Sequence, residues 1–379
     1  MATATVYEIE VATVNVSDVT NKTEAWNKSY RVNFGDYDTD SLMTTTDNTE
    51  TIVLISVYVP IFLLATLGNL FVLLVILLDA RMRKSAQNFF LVNLAIADLL
   101  VALFCIPITV ARYVYQVWVF GDAMCKAVGY LQGISIVASV LTILCMAFDR
   151  YFAIRHPMKN RQIFTVRRVK QLVTITWFLA ALLVIPVLVV RKVERHDLNM
   201  ANINVHNLAL NAVALPEVSV QYCIEAWPSS SSRNIYDLVF LGLVYVIPGT
   251  LTVCLYTCIG TTLWAKDQTL GRQNSYVANE NRIVTTRRRL ALMMIILSVL
   301  FAACWLPYYI INLLLNFDPS MSARLIPVYP FALLLGHSNS AQNPVLYCLM
   351  HRGFQQIVVR MLKCQCRQAF RAKVSNETT

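Results

Sequence analysis

Seven apolar runs, each long enough to cross a bilayer, constrain this chain more than any other feature. A helix needs roughly 20 residues to span the hydrocarbon. The runs are Ile52 to Leu78, Ser85 to Ala111, Ala127 to Phe148, Gln171 to Val190, Leu238 to Ala265, Leu290 to Phe317 and Leu325 to Met350. The first carries no charge and the second only Asp98. One such run could be a buried core helix. Seven, separated by charged loops, specify an all-α membrane protein, a seven-transmembrane helix bundle. The runs are continuous rather than alternating, which favours helices over a barrel. Composition agrees: 57% of the 379 residues are hydrophobic and 14% charged, against about 25% charge in a soluble domain.

Loop charge sets the orientation. Residues 79–84, 154–170, 266–289 and the tail from 351 hold 21 Lys and Arg against 4 acids. The opposite loops, with residues 1–50, hold 9 against 15. Basic residues stay on the cytoplasmic side, so the amino terminus is expected outside and the carboxyl terminus inside, in the plasma membrane. The net charge of +10 then reflects topology and anionic inner-leaflet lipid rather than nucleic acid. Residues 1–20 carry no Lys or Arg and no sustained apolar core, so the first span is expected to act as the insertion signal. Three regions follow: an outer tail, 1–50; the bundle, 51–350; and an inner segment, 351–379. Sequons at Asn15, Asn21 and Asn27 mark the outer tail as glycosylated; the one at Asn376 falls inside and should be silent.

Of the 10 cysteines, only Cys125 and Cys223 fall outside, where disulfides persist. They are expected to bond, tying helix 3 to the second outer loop. Val218 to Trp227 reads as a short hairpin near Cys223. On the inner side, Phe354, Ile357, Val358, Met361 and Leu362 share one face of a short helix flanked by Arg352, Arg360 and Lys363. That pattern fits an interfacial helix on anionic lipid. Cys364 and Cys366 after it are either palmitoylated or a reduced, unmodified pair.

Asp98 is the informative intramembrane acid, because a lone carboxylate in hydrocarbon must face the protein interior or water. Asn69, Ser139, Asn339, Ser340 and Asn343 are polar residues of comparable depth. Their oxygens suit a small hard cation, sodium above all; the alternative is a water-filled polar network. Asp149-Arg150-Tyr151 closes the third run. Pro60, Pro107, Pro186, Pro248, Pro307 and Pro344 interrupt six runs and can bend their helices. No zinc-protease motif, phosphate loop or hydrolase triad is present, so no catalytic role is expected.

Together these marks resemble the rhodopsin-like family of G-protein-coupled receptors. They are Gly68-Asn69, Leu94-Ala95-x-Ala97-Asp98, Trp118-x-Phe120-Gly121, Cys125, Asp149-Arg150-Tyr151, Trp177, Pro248 with Tyr256, Phe301 with Cys304-Trp305-Leu306-Pro307, and Asn343-Pro344-Val345-Leu346-Tyr347. The resemblance covers residues 52 to 366. It implies an agonist near the outer half, outward movement of helix 6, and a heterotrimeric G protein meeting Arg150, with arrestin, a receptor kinase and membrane lipids as further partners. Tyr256 and Tyr347 would hold the active arrangement. Val140, Pro248, Phe301 and Trp305 match the family's packing switch. Asp98, Ser139, Asn339, Ser340 and Asn343 match its sodium pocket, an allosteric ion rather than a required cofactor.

Two departures bear on function. Relatives with an acid at the inner end of helix 6 pair it with Arg150, whereas here that region reads Arg287-Arg288-Arg289. Basal signalling is therefore expected to be raised. The helix 3 position that is Asp in amine receptors is Gln132, as in peptide receptors around orexin, neuropeptide FF and SIFamide. The seventh run holds no Lys, against a retinal Schiff base. The acidic ectodomain and Glu225 would draw a basic, amidated neuropeptide. Gln132, Glu225, Trp227, Tyr308, Tyr309 and Asn312 are the candidate pocket, aromatics giving area and Gln and Asn pairing with amides. The alternatives are a small non-peptide agonist, or a channel or transporter.

Overall fold

The computed structural model describes residues 49–198, 218–270 and 278–362. Six helices are long and apolar enough to span a membrane. They are α1 (Thr49–Leu78), α2 (Ala86–Tyr115), α3 (Gly121–Arg155), α4 (Val166–Val190), α5 (spanning Ser230–Thr262) and α6 (spanning Arg288–Phe317, within Ala278–Phe317). A further helix, α7 (Tyr329–Met350), completes the bundle. Its apolar run is broken by His337, Asn339, Ser340 and Asn343, all of which are buried. The expected start of the seventh span at Leu325 is corrected. A separate turn, Ser322–Leu325, ends before Pro327, and α7 begins only at Tyr329. Proline cannot supply the donor that a continuous helix would need. The expected glycosylation sites Asn15, Asn21 and Asn27, and Cys364 and Cys366, lie outside the described residues.

α3 is the central post, packed against α2, α4, α5 and α6, while α1 closes against α2 and α7, and α6 against α7. Buried side chains from these helices form one main core, including Phe90, Leu94, Val137, Met293 and Trp305. Outside it, Leu67, Phe178 and Val253 are more than 60% exposed. A ring of exposed apolar side chains is what a hydrocarbon solvent requires.

The prolines shape the helices through the hydrogen bonds they remove. α2 and α5 each contain a π segment, Val101–Cys105 and Gly242–Val246, just before Pro107 and Pro248. In α7, Pro344 cannot donate to the carbonyl of Ser340. Asn69 supplies the missing donor from α1, its Nδ2 lying 2.8 Å from that carbonyl and 2.9 Å from the Ala65 carbonyl. Gly68 beside it makes room for the ring, since a Cβ there would lie 2.8 Å from Pro344 Cβ. A second polar clasp joins three helices. Asn93 donates to Thr142 at 2.6 Å and accepts from Trp177 Nε1 at 2.6 Å.

At one end, β1 (Arg191–Leu198) and β2 (Val218–Glu225) form an antiparallel ribbon, with Arg191 opposite Glu225 and Val193 opposite Cys223. The expected hairpin within Val218 to Trp227 is thus a single strand whose partner lies before the long connection. Charged Arg191–Leu198 gave no alternating apolar signal. The Cys125–Cys223 disulfide is formed. The ribbon is also pinned by Asp122, which accepts from the Val193 N–H at 3.1 Å, and by Trp118, whose N–H donates to the Gln221 carbonyl at 2.7 Å. At the other end, the short helix α8 (Arg352–Leu362) tucks Phe354 under Tyr347, with ring centroids 6.1 Å apart. Part of its apolar face therefore seals the bundle rather than facing lipid.

Replacing Asn69 by Ala should cost about 1–3 kcal/mol by orphaning the Ser340 carbonyl. Pro344→Ala restores a donor for that carbonyl, so the double variant should melt higher than additive losses require. Thermal melting of the four purified forms measures this; strict additivity would refute the assignment.

Candidate functional site

A cavity of about 110 Å³ opens at the foot of the β1–β2 ribbon, between α3, α5 and α6. Gln132, Glu225, Trp227, Tyr308, Tyr309 and Asn312 all line it. Three segments converge here: α3 presents Gln132, the end of β2 and the residues just after it present Glu225 and Trp227, and α6 presents the two tyrosines and Asn312. Asn312 donates back to the Tyr308 carbonyl at 3.1 Å, leaving its oxygen for the cavity. An aromatic series continues across the wall: Trp227 to Tyr236 at 5.1 Å, Tyr236 to Phe240 at 5.9 Å, and Phe240 stacked on Tyr309 at 5.5 Å.

The sequence reading missed the cavity's cations and its second acid. Arg191 Nη2 lies 3.1 Å from Glu225 Oε1, and Arg233 lies 3.8 Å from Oε2. Trp227 Nε1 donates to Oε2 at 3.3 Å. Burial alone would raise the Glu225 carboxyl, but the two guanidinium groups hold it below the usual carboxylate range. Glu225 is therefore already neutralised rather than a free anion at the entrance. Gly129 makes the arrangement possible, because a Cβ there would lie 2.5 Å from the Arg191 guanidinium. Asp237 also lines the cavity, with Asn316 Nδ2 donating to it at 2.6 Å. Only the cross-strand pairing of Arg191 with Glu225 could have revealed this, and β1 was not legible.

Below the cavity lie the residues expected to form a packing switch. Trp305 is 2% exposed and lies against α7, where a Cβ on Gly336 would come within 2.7 Å of its ring. Val140 and Phe301 are buried in the same core, and Pro248 is buried in α5. Pro307 interrupts α6 two residues beyond Trp305. Trp305 also meets His337 edge-on at 6.0 Å, and His337 Nδ1 lies 3.2 Å from the Tyr58 hydroxyl.

Deeper still, Asn343 donates to Asp98 at 2.7 Å. Ser139, Asn339 and Ser340 are buried with them, and the buried Asn69 Oδ1 has no partner among the described residues. A buried carboxylate with hydroxyl and amide oxygens, one of them orphaned, fits the donor set of a hard cation.

At the end of the bundle away from the ribbon, Arg150 and Asp149 are both buried and paired, Nη2 to Oδ2 at 2.6 Å. No acid from α6 reaches Arg150 among the described residues. Instead, Arg289 of α6 donates to the Leu349 carbonyl at the end of α7, at 2.8 Å. Tyr151 packs on Phe152, with centroids 5.5 Å apart. Tyr256 and Tyr347 end in buried hydroxyls without partners among the described residues.

A helical ring with a recessed cavity under a disulfide-pinned ribbon, a buried polar column and an inner Asp-Arg-Tyr is the build of a seven-transmembrane receptor. Residues 68–347 match the 7 transmembrane receptor (rhodopsin family), and the chain belongs to that family. Its relatives include a QRFP-like peptide receptor of Branchiostoma floridae, 30% identical over 85% of this chain and 80% of the relative. Neuropeptide FF receptor 2 of Rattus norvegicus is 32% identical over 80% of this chain and 71% of its own. The RYamide receptor of Drosophila melanogaster is 30% identical over 89% of this chain and 70% of its own.

The Glu225 clamp generates a pH prediction. A carboxyl held below its ordinary value of 4.5 contributes stability above that pH and loses it as pH falls through the folded value. The melting difference between the native chain and Glu225→Gln should stay constant from neutrality to about pH 4.5 and shrink below it. A difference that already shrinks near pH 6 would contradict the clamp. At the inner face, Arg287→Glu would supply the missing acid for Arg150. It should lower ligand-free nucleotide exchange on the G protein; unchanged exchange would count against the lock argument.

Proposed function

We propose that this chain is a cell-surface receptor for an amidated neuropeptide ending in arginine and an aromatic residue, and that it passes agonist binding to a heterotrimeric G protein. The observation that carries the reading is the cavity itself. Six residues singled out by position and type surround one space, with aromatic walls for an aromatic side chain and Gln132 and Asn312 for amide groups. The relatives' names support it: they are receptors for peptides, and RYamide in one-letter code is arginine, tyrosine and an amide.

The mechanism is a two-state equilibrium that the peptide biases by binding one state better. A ligand settling on Tyr308 and Tyr309 presses on Trp305, one turn deeper on α6. Movement of α6 must break the Arg289 bond to the Leu349 carbonyl. Arg150 then leaves Asp149 for the G protein, and the hydroxyls of Tyr256 and Tyr347 gain partners. Sodium at Asp98, Ser139, Asn339, Ser340 and Asn343 would favour the resting packing. The amino terminus lies outside with glycans on Asn15, Asn21 and Asn27. The carboxyl terminus lies inside with Cys364 and Cys366 acylated, where arrestin and a receptor kinase also act.

Screening amidated peptides with calcium and cyclic-AMP readouts tests the reading. Peptide-dependent signalling that Arg150→Ala abolishes, with surface expression retained, is the expected outcome. Ion or solute flux through purified protein, without nucleotide exchange on any G protein, would overturn it.

A further inference from the structure

The cavity holds two acids, and they are not equivalent. Glu225 has both oxygens occupied: Oε1 by Arg191 at 3.1 Å, and Oε2 by Trp227 Nε1 at 3.3 Å and Arg233 at 3.8 Å. Two cations already share that one anion. A ligand cation reaching Glu225 would meet the like charge of two guanidinium groups already gathered there, which is costly in a partly buried wall. Asp237 is the opposite case. Among the described residues its hydrogen-bond partner is the neutral amide of Asn316, 2.6 Å from Oδ2, and no Lys or Arg nitrogen lies within 4.0 Å of it. Arg233 sits one turn earlier on the same helix, yet its guanidinium turns to Glu225.

We infer that Asp237, steered by Asn316, is the acceptor for the cationic side chain of the ligand, and that Glu225 instead holds the ribbon root shut with Arg191 and Arg233. The inference rests on the peptide-receptor reading above and assigns its charge selectivity to one carboxylate. Three features favour the assignment. Asn316 donates to one oxygen and leaves the other for a guanidinium, which binds carboxylates through several parallel donors. Tyr236, next to Asp237 in sequence, and Phe240 belong to the aromatic wall, and a guanidinium stacks on such faces better than an ammonium does. Of the four charged groups that line the cavity, Arg191, Arg233 and Glu225 are paired with one another, which leaves Asp237 outside that cluster. The ligand's charge then meets the one anion without a cation in contact.

The test uses two amidated peptides identical except that arginine before the terminal aromatic residue is replaced by citrulline, which keeps the shape and removes the charge. Signalling is read in full-length receptor, with surface expression measured by an outer epitope. In the native chain citrulline should weaken potency about tenfold or more, the scale of one charge-assisted hydrogen bond. In Asp237→Asn the arginine peptide should fall to the citrulline level and the gap should close. Asp237→Glu should restore much of it, and Glu225→Gln should keep it. A gap unchanged in Asp237→Asn, absent in the native chain, or closed by Glu225→Gln alone would overturn the assignment while leaving the peptide reading standing. Silence of the expressed native receptor toward both peptides would overturn the ligand class and this inference together.

Discussion

In hydrocarbon no water completes a hydrogen bond that the protein leaves open, and that constraint organises this bundle. Every proline that bends a helix strips a donor from the turn before it. The chain answers in two ways. In α2 and α5 the backbone widens into a π segment ahead of Pro107 and Pro248. In α7 a different helix answers, through Asn69 on the Ser340 carbonyl. Helix α1 is thus docked by a specific polar contact in addition to the apolar packing of Val72, Val75 and Ile76, which alone gives little preference in lipid. The same need explains why Asn93 satisfies both Thr142 and Trp177.

The polar column also explains how a stable bundle can still move. Asp98 with Asn343, His337 with Tyr58, and Asp149 with Arg150 are short, specific pairs at successive depths. The first two each join α7 to another helix, and the third holds two buried charges together within α3. Interfaces of this kind switch between discrete arrangements rather than deforming gradually. The contact of Arg289 with the Leu349 carbonyl has the same character at the inner rim. It lets basic α6 rest against α7 using the partial negative charge of a helix terminus.

Much of this was legible in the sequence because the membrane writes in long apolar runs. The spans, their order and the disulfide followed from length, charge and compartment. The six cavity residues were read from position and type. What escaped depended on pairing across chain distance. β1 reads Arg191-Lys-Val-Glu-Arg-His-Asp-Leu198, a charged segment that becomes a strand only because Val218–Glu225 lies opposite it. The clamp on Glu225 was hidden with it, and so was the reason for glycine at 129. The start of α7 was misplaced because apolarity continues through Pro327 where the helix does not.

Gly129 links these scales. With no side chain there, the guanidinium of Arg191 lies flush on α3, and the disulfide at Cys125 fixes the same ribbon one turn away. From Gly129 to Arg150 is about 32 Å of unbroken helix. A small tilt imposed at the ribbon root would be carried along that stiff rod to the end that bears Arg150, without any relay of side chains between. The ribbon would then be part of the lever arm itself, and its rigidity would set how much displacement is lost before the far end.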